Sequence, residues 1–149
     1  MATSNAATNY LERRILDFIF KNNALSFASP GNNIYVGLAT AVSDAEAATG
    51  SSGYTEATFG SYARQQVPAA KWDTIGAAST DTQTAKNNDS IEFPASTGTS
   101  NTITHVIITD NASTGGGNVL FIGALDASKT IATGDIFRIN ANNLTIELK

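Results

Sequence analysis

The chain has 149 residues, 42% of them hydrophobic and only 15% charged, with a formal net charge of −4 and an isoelectric point near 4.7. That length makes one domain, which buries about 70% of its unfolded surface. An acidic balance without clustered Lys and Arg excludes a nucleic-acid partner, since displacing phosphate counterions needs concentrated positive charge. Cysteine is absent, which excludes disulfides, thiolate nucleophiles and zinc–thiolate sites.

No run reaches the ~20 apolar residues of a membrane-spanning helix, and the start has no basic segment followed by an apolar one. The expectation is a chain made in a cytosol with no sorting signal and no membrane partner. The sequons at Asn88, Asn111 and Asn143 then carry no meaning, because glycosylation requires secretion. With so few charges the surface must be largely Thr, Ser, Asn, Gly and Ala, which suits a protein packed against neighbours.

In chain order, Met1 to Thr8 (MATSNAAT) is small and polar and reads as a flexible arm. Residues 9–149 form the single β-rich domain. Asn9 and Glu12 have the spacing of a capping box that opens a helix. Within it Leu11, Ile15, Phe18 and Ile19 share one stripe, widened by Leu16 and Phe20. Glu12, Arg13, Asp17 and Lys21 lie mostly opposite, with Arg13 and Asp17 at i, i+4, and Asn22 and Asn23 end the helix. A helix this apolar must dock on the sheet or on another subunit, so Leu11, Ile15, Phe18 and Ile19 are candidate interface residues.

Phe27 to Asn33 (FASPGNN) reads as a turn, and Ile34 to Thr40 (IYVGLAT) as a strand with Ile34, Val36 and Leu38 on one face. Residues 41–60 show little periodicity. They read as a long loop anchored by Tyr54 and Phe59, and loops of that length are usually functional or interface-forming. Tyr54 and Phe59 are therefore interface candidates too. Ser61 to Val67 and Lys71 to Ile75 read as further strands, the latter with the single Trp, followed by a polar connection over 77–88 and a short strand over Ser90 to Phe93.

From Ile103 to Lys149, five apolar runs are punctuated by DNASTGGGN, DASK, ATGD and NANN. β-branched and large apolar residues favour strands, while Asn, Asp and Gly supply turns. There is no room for crossover helices, so neighbouring strands are antiparallel. ITHVIIT and NVLFIGAL show no clean alternation, which implies cover on both faces. By contrast Leu144, Ile146 and Leu148 alternate with Asn143, Thr145 and Glu147, as in an edge strand or a one-sided sheet. The fold class is mainly β: an antiparallel sandwich or barrel, jelly-roll-like, of about eight strands with one N-terminal amphipathic helix.

Chemistry is sparse. His105, the sole histidine, lies mid-strand without a G-x-S-x-G elbow to partner it. Asp110, Asp126 and Asp135 read as turn residues, and clustering for calcium is the less economical account. Ser113 to Gly117 (STGGG) joins two strands and so is a hairpin loop, not a phosphate cradle. Arg13 and Arg14 read as a solvated helix face, and Arg64 and Arg138 as salt-bridge partners. Tyr54, Phe59, Tyr62 and Trp72 fit core or intersubunit anchors better than a ligand patch. Glu56, Glu92 and Glu147 are dispersed, so no paired-carboxylate hydrolase site forms. No catalytic, metal or cofactor site is expected, and the chain is read as non-enzymatic.

The order NYLERRILDFIF, NIYVGLATA, SGYTEATFGSYARQQV, then IEFP, ITHVIITDNASTGG and NVLFIGALDASKTIATGDIFRINANNLTIEL resembles a family of small tailed-bacteriophage virion proteins. These are capsid decoration or cement proteins, often labelled phage tail fibre proteins. The resemblance runs from Asn9 to Leu148. It is most specific at Tyr35 to Leu38, Tyr62 to Arg64 and Thr104 to Leu148. It implies a structural subunit of the virion, assembled in the host bacterial cytoplasm. One placement is a head cement protein, a homotrimer that binds the major capsid protein on the outer head surface and stabilises the lattice. The alternative is a tail fibre or receptor-binding component presenting residues 41–60 to a host. Small size and the lack of an elongated segment favour cement.

Overall fold

The structure, a computed structural model, describes residues 5–25, 34–73 and 83–148. The chain is mainly β with one helix near its N-terminus, as its patterning predicts. The strands are β1 (Ala6–Ala7), β2 (Tyr35–Val42), β3 (Tyr54–Glu56), β4 (Gln65–Gln66), β5 (Gln83–Lys86), β6 (Ile91–Glu92), β7 (Asn101–Thr109), β8 (Val119–Ile131), β9 (Arg138–Ile139) and β10 (Thr145–Leu148), with helix α1 at Asn9–Lys21.

One antiparallel sheet runs β1-β8-β7-β2-β3, and β4 shares the outer edge of β2 with β3. Two antiparallel pairs, β5–β10 and β6–β9, stand apart from it. The β2–β7 register sets Leu38 opposite Val106 and Gly37 opposite Ile107; β7–β8 sets Ile107 opposite Ile122. Alternate residues point to opposite faces, so each face has its own core. Val36, Leu38 and Val106 belong to the larger cluster, with Phe59, Phe93, Ile103 and Phe137. Ala39, Ile107, Val119 and Ile122 belong to the smaller, covered by Ala45 and Ala48 from the β2–β3 connection. Both faces are indeed buried, which is why these strands lack alternation.

Several sequence expectations are revised. Helix α1 is capped one residue early: Thr8, not Asn9, is the N-cap, and its side chain accepts from Leu11 N. Asn22 ends the helix in the left-handed region, φ 55°, as its amide side chain tolerates. The expected arm is structured at its end, because Ala6 and Ala7 pair with Ile122 and Phe121 and Thr8 is buried. Met1 to Ser4 lie outside the described residues. Residues 41–60 are not a bare loop but a β2–β3 hairpin closing through Val42 and Tyr54.

Ser61 to Val67 is strand only at Gln65–Gln66, since Ser61 has φ 68° and turns the chain. At Lys71 to Ile75, Ala69–Lys71 is a 3₁₀ turn followed by a Trp72–Asn87 bridge; Thr74 and Ile75, like the Phe27 to Asn33 turn, lie outside the described residues. The DASK segment does not end a strand. Between the pairs His105–Ala124 and Ile103–Lys129, β8 spends more residues than β7, so Asp126 to Ser128 bulge outward while Leu125 packs against the larger core and the ladder resumes.

Candidate assembly surfaces

The structure scatters the residues singled out as interface candidates. On α1, Leu11 is buried and Ile15 half-buried, so these two serve the protein's own core. Phe18 and Ile19 stay 51% and 61% exposed, joined by Leu16 at 55% and Phe20 at 77%. The cause lies at the helix start. Thr8 N donates to Leu120 O at 3.0 Å and Asn9 N to Glu46 O at 2.8 Å, while Thr8 Oγ1 donates to Val119 O at 2.6 Å. These bonds pin the first turn to β8 and to the β2–β3 connection. The last two turns hold polar residues only on one narrow side, where Lys21 meets Asp17 at 3.6 Å. Four large side chains are left uncovered, on the order of 500 Å² of apolar surface, at the upper end of what a monomer exposes.

Phe59 is 2% exposed and packs edge-on to Tyr62; it is a core residue and unavailable to a partner. Tyr54 is half-buried and donates its hydroxyl to Gly50 O at 3.0 Å. It also receives Arg64 Nη2 at 3.2 Å, which places it in a buried polar network that sequence patterning did not assemble. Arg64 pairs with Glu56, as a strand arginine is expected to find a carboxylate, and its side chain is fully buried. Its Nη1 donates to Thr109 Oγ1, Asn111 O and Gly116 O at 3.0, 2.9 and 2.9 Å. Glu56 also accepts from Tyr62 Oη at 2.8 Å and Gly115 N at 3.0 Å.

Burial opposes the charge of Arg64, but the hydrogen bond and the negative charge of Glu56 outweigh it and hold the guanidinium protonated more firmly than usual. Burial, then the Glu56 carboxylate, pushes the phenols of Tyr62 and Tyr54 up. Every strong group here is committed to a partner, and the network is a rivet that fixes the 111–117 loop to β3 and to Arg64, the residue before β4. Sequence reading gives Arg64 a carboxylate partner but not the tyrosines and loop carbonyls around it.

The remaining chemistry stays dispersed. Asp110 accepts from Asn118 N and Nδ2 at 2.7 and 2.8 Å, and Asp135 from Ala132 N at 2.9 Å; each closes its own turn, whereas Asp126 sits on the β8 bulge. Among the described residues, no three His, Asp or Glu converge as metal ligands. Arg138 pairs with Glu92 across β6–β9. His105 Nδ1 lies 2.8 Å from Thr104 Oγ1, its own neighbour on β7.

A second surface lies across the sheet from the small core. An open cleft of about 630 Å³ has Val106, Ile108 and Phe121 as its floor and Leu144 and Ile146 as a wall, with Asp126 and Glu147 among its lining. The exposed end of α1 is an apolar surface, and the cleft mixes apolar side chains with Asn5, Asn143, Thr145 and the two carboxylates. Residues 6–147 match the family described as podophage GP4 fiber I protein gp80. The chain belongs to that family. Membership makes it a structural protein of a phage particle, in agreement with the resemblance carried by its motifs. A search of curated proteins returned no match.

Proposed function

We propose that this member of the podophage fiber I family is a subunit of a tail appendage, non-enzymatic, that holds its place by burying the exposed end of α1 against protein. The observation that carries the reading is the family match over nearly the whole chain, residues 6–147, to proteins described as fibre components. Phe18, Ile19 and Phe20 supply the contact. The riveted loop around Arg64 suits a rigid platform: it leaves Ala112, Ser113 and Thr114 exposed on a backbone that cannot sag. Such a platform would meet other surfaces at low entropic cost.

A head-cement role has one observation in its favour. The described residues form short strands around one sheet, without the elongated segment that spans distance in a fibre. In that reading the partner is the major capsid protein, and a homotrimer on the lattice gains from multivalency.

The copy number of the chain per purified virion separates the two. A few to a few dozen copies are expected for a tail appendage. Hundreds, comparable with the major capsid protein, would overturn that placement in favour of cement.

A further inference from the structure

We infer that the exposed end of α1 seats in the β7–β8/β10 cleft of a second copy of this chain, giving a head-to-tail oligomer. This rests on reading α1 as an assembly surface; whether the assembly stands on the head or the tail does not enter.

The occupant follows from what both surfaces lack. The helix presents Leu16, Phe18, Ile19 and Phe20 to solvent at 51–77% exposure, and its own first turn is tied to β8 through Thr8. Among the described residues none fills the cleft, whose lining sets apolar Val106, Ile108 and Phe121 beside polar Asn5, Asn143 and Thr145. An open groove with a sheet for a floor takes an amphipathic helix through residues spaced at i, i+3 and i+4, and Leu16, Ile19 and Phe20 have that spacing.

Charge agrees with this pairing. Asp126 and Glu147 are the charged residues of the cleft lining, and both are carboxylates. On the helix Asp17 and Lys21 engage one another, which leaves Arg13 and Arg14 against Glu12.

Area supports a repeating contact over a single one. About 500 Å² of helix surface falls short of the ~800 Å² per partner that a standard interface buries, so one isolated seat would be weak. In a closed ring every copy both gives a helix and receives one, which covers the helix end and the cleft of each subunit. A contact between two different patches closes only as a ring or grows as a filament. Closure as a trimer is the smallest ring in which donor and acceptor are not reciprocal.

The chain contains no cysteine, so disulfide trapping can be read without background. Phe20 and Ile146 are replaced by cysteine, singly and together, and the purified proteins are oxidised mildly and run without reductant. The double variant F20C/I146C is expected to give a reducible ladder, and a mixture of the two single variants a cross-linked dimer. Neither single variant alone should cross-link. Efficient cross-linking of F20C by itself would mean helix against helix and would overturn the proposal, as would absence of any product in both the double variant and the mixture. In parallel, Phe20→Asp changes a side chain that the fold does not use. It should keep the melting temperature within a few degrees yet lower the mass by light scattering to that of a monomer. A wild type that is already monomeric at about 100 μM, or a variant of unchanged mass, would overturn it too. The virion count can fail independently of all these outcomes.

Discussion

Arg64 and Glu56 meet as a two-point ion pair inside the protein: Nε lies 2.7 Å from Oε1 and Nη2 2.9 Å from Oε2. The planar fork of a guanidinium matches a carboxylate in this way, and lysine could not substitute. Their cost of desolvation is offset only because the remaining donors and lone pairs also find partners. Removing one member strands the other. Arg64→Met should therefore destabilise the fold by about 3–5 kcal/mol, lowering the thermal midpoint by roughly 10 °C for a domain this size. The double variant R64M/E56L should recover a good part of that loss. Urea titrations of the two singles and the double give the coupling; additive losses would show that the pair does not act as a unit.

Gly50 is held against the same loop from the other side. A Cβ at Gly50 would fall 2.3 Å from Gly117 O and 2.8 Å from Gly116 C. Backbone atoms cannot swing aside as a side-chain tip can, so Gly50→Ala has to push the 111–117 loop away from Arg64. A loss of about 1–3 kcal/mol is expected for overpacking of this kind. A thermal midpoint equal to wild type would mean that the loop moves freely and is not riveted.

How much of this was legible beforehand depended on the range of the interaction. The helix, its termination at Asn22 and the strands β2, β7 and β8 follow from local periodicity, and each is present. The Arg64 network was not legible, because it joins Tyr54, Glu56, Tyr62, Arg64 and Thr109 through side chains whose spacing has no local signature. The strand expected over Ser61 to Val67 failed for a related reason. Tyr62 leaves the strand path so that its hydroxyl can reach Leu38 N at 2.9 Å, and a long-range bond overrode β propensity. DASK has turn residues and produced a bulge, since pairing with β7 resumes on its far side. Interface residues divided along α1 because composition cannot tell where a helix leaves the body that anchors it.

His105 makes stability depend on pH. Burial lowers its pKa from the ordinary value of 6.5, and Nε2 is buried without a protein partner. The unfolded chain therefore takes up a proton before the folded one does. The stability this group contributes is complete above about pH 6.5, and it declines as the pH falls through that value toward the lower pKa of the folded state. Urea midpoints at pH 7.5 and pH 5.5, above the range where carboxylates titrate, should differ in wild type. In His105→Gln the difference should largely vanish. An equal slope in both proteins would assign the pH dependence to other groups.

Thr8 is fully buried and its hydroxyl works in two directions, donating to Val119 O at 2.6 Å and accepting from Leu11 N at 3.4 Å. One residue thus caps the helix and ties it to β8. Thr8→Ala should cost about 1–2 kcal/mol, as for other lost N-caps, with an added penalty for the Val119 carbonyl left without its donor. Thr8→Ser keeps the hydroxyl and should lie within about 1 kcal/mol of wild type, losing only a buried methyl. Truncation is the matching test. Removing Met1 to Ser4 spares all of these bonds and should leave the thermal midpoint unchanged, whereas removing Met1 to Thr8 deletes β1 and the cap together. That longer truncation should melt clearly lower and, by freeing the helix from β8, weaken any assembly that α1 supports. If both truncations melted like the full chain, the pairing of Ala6 with Ile122 and Ala7 with Phe121 would contribute nothing to the fold.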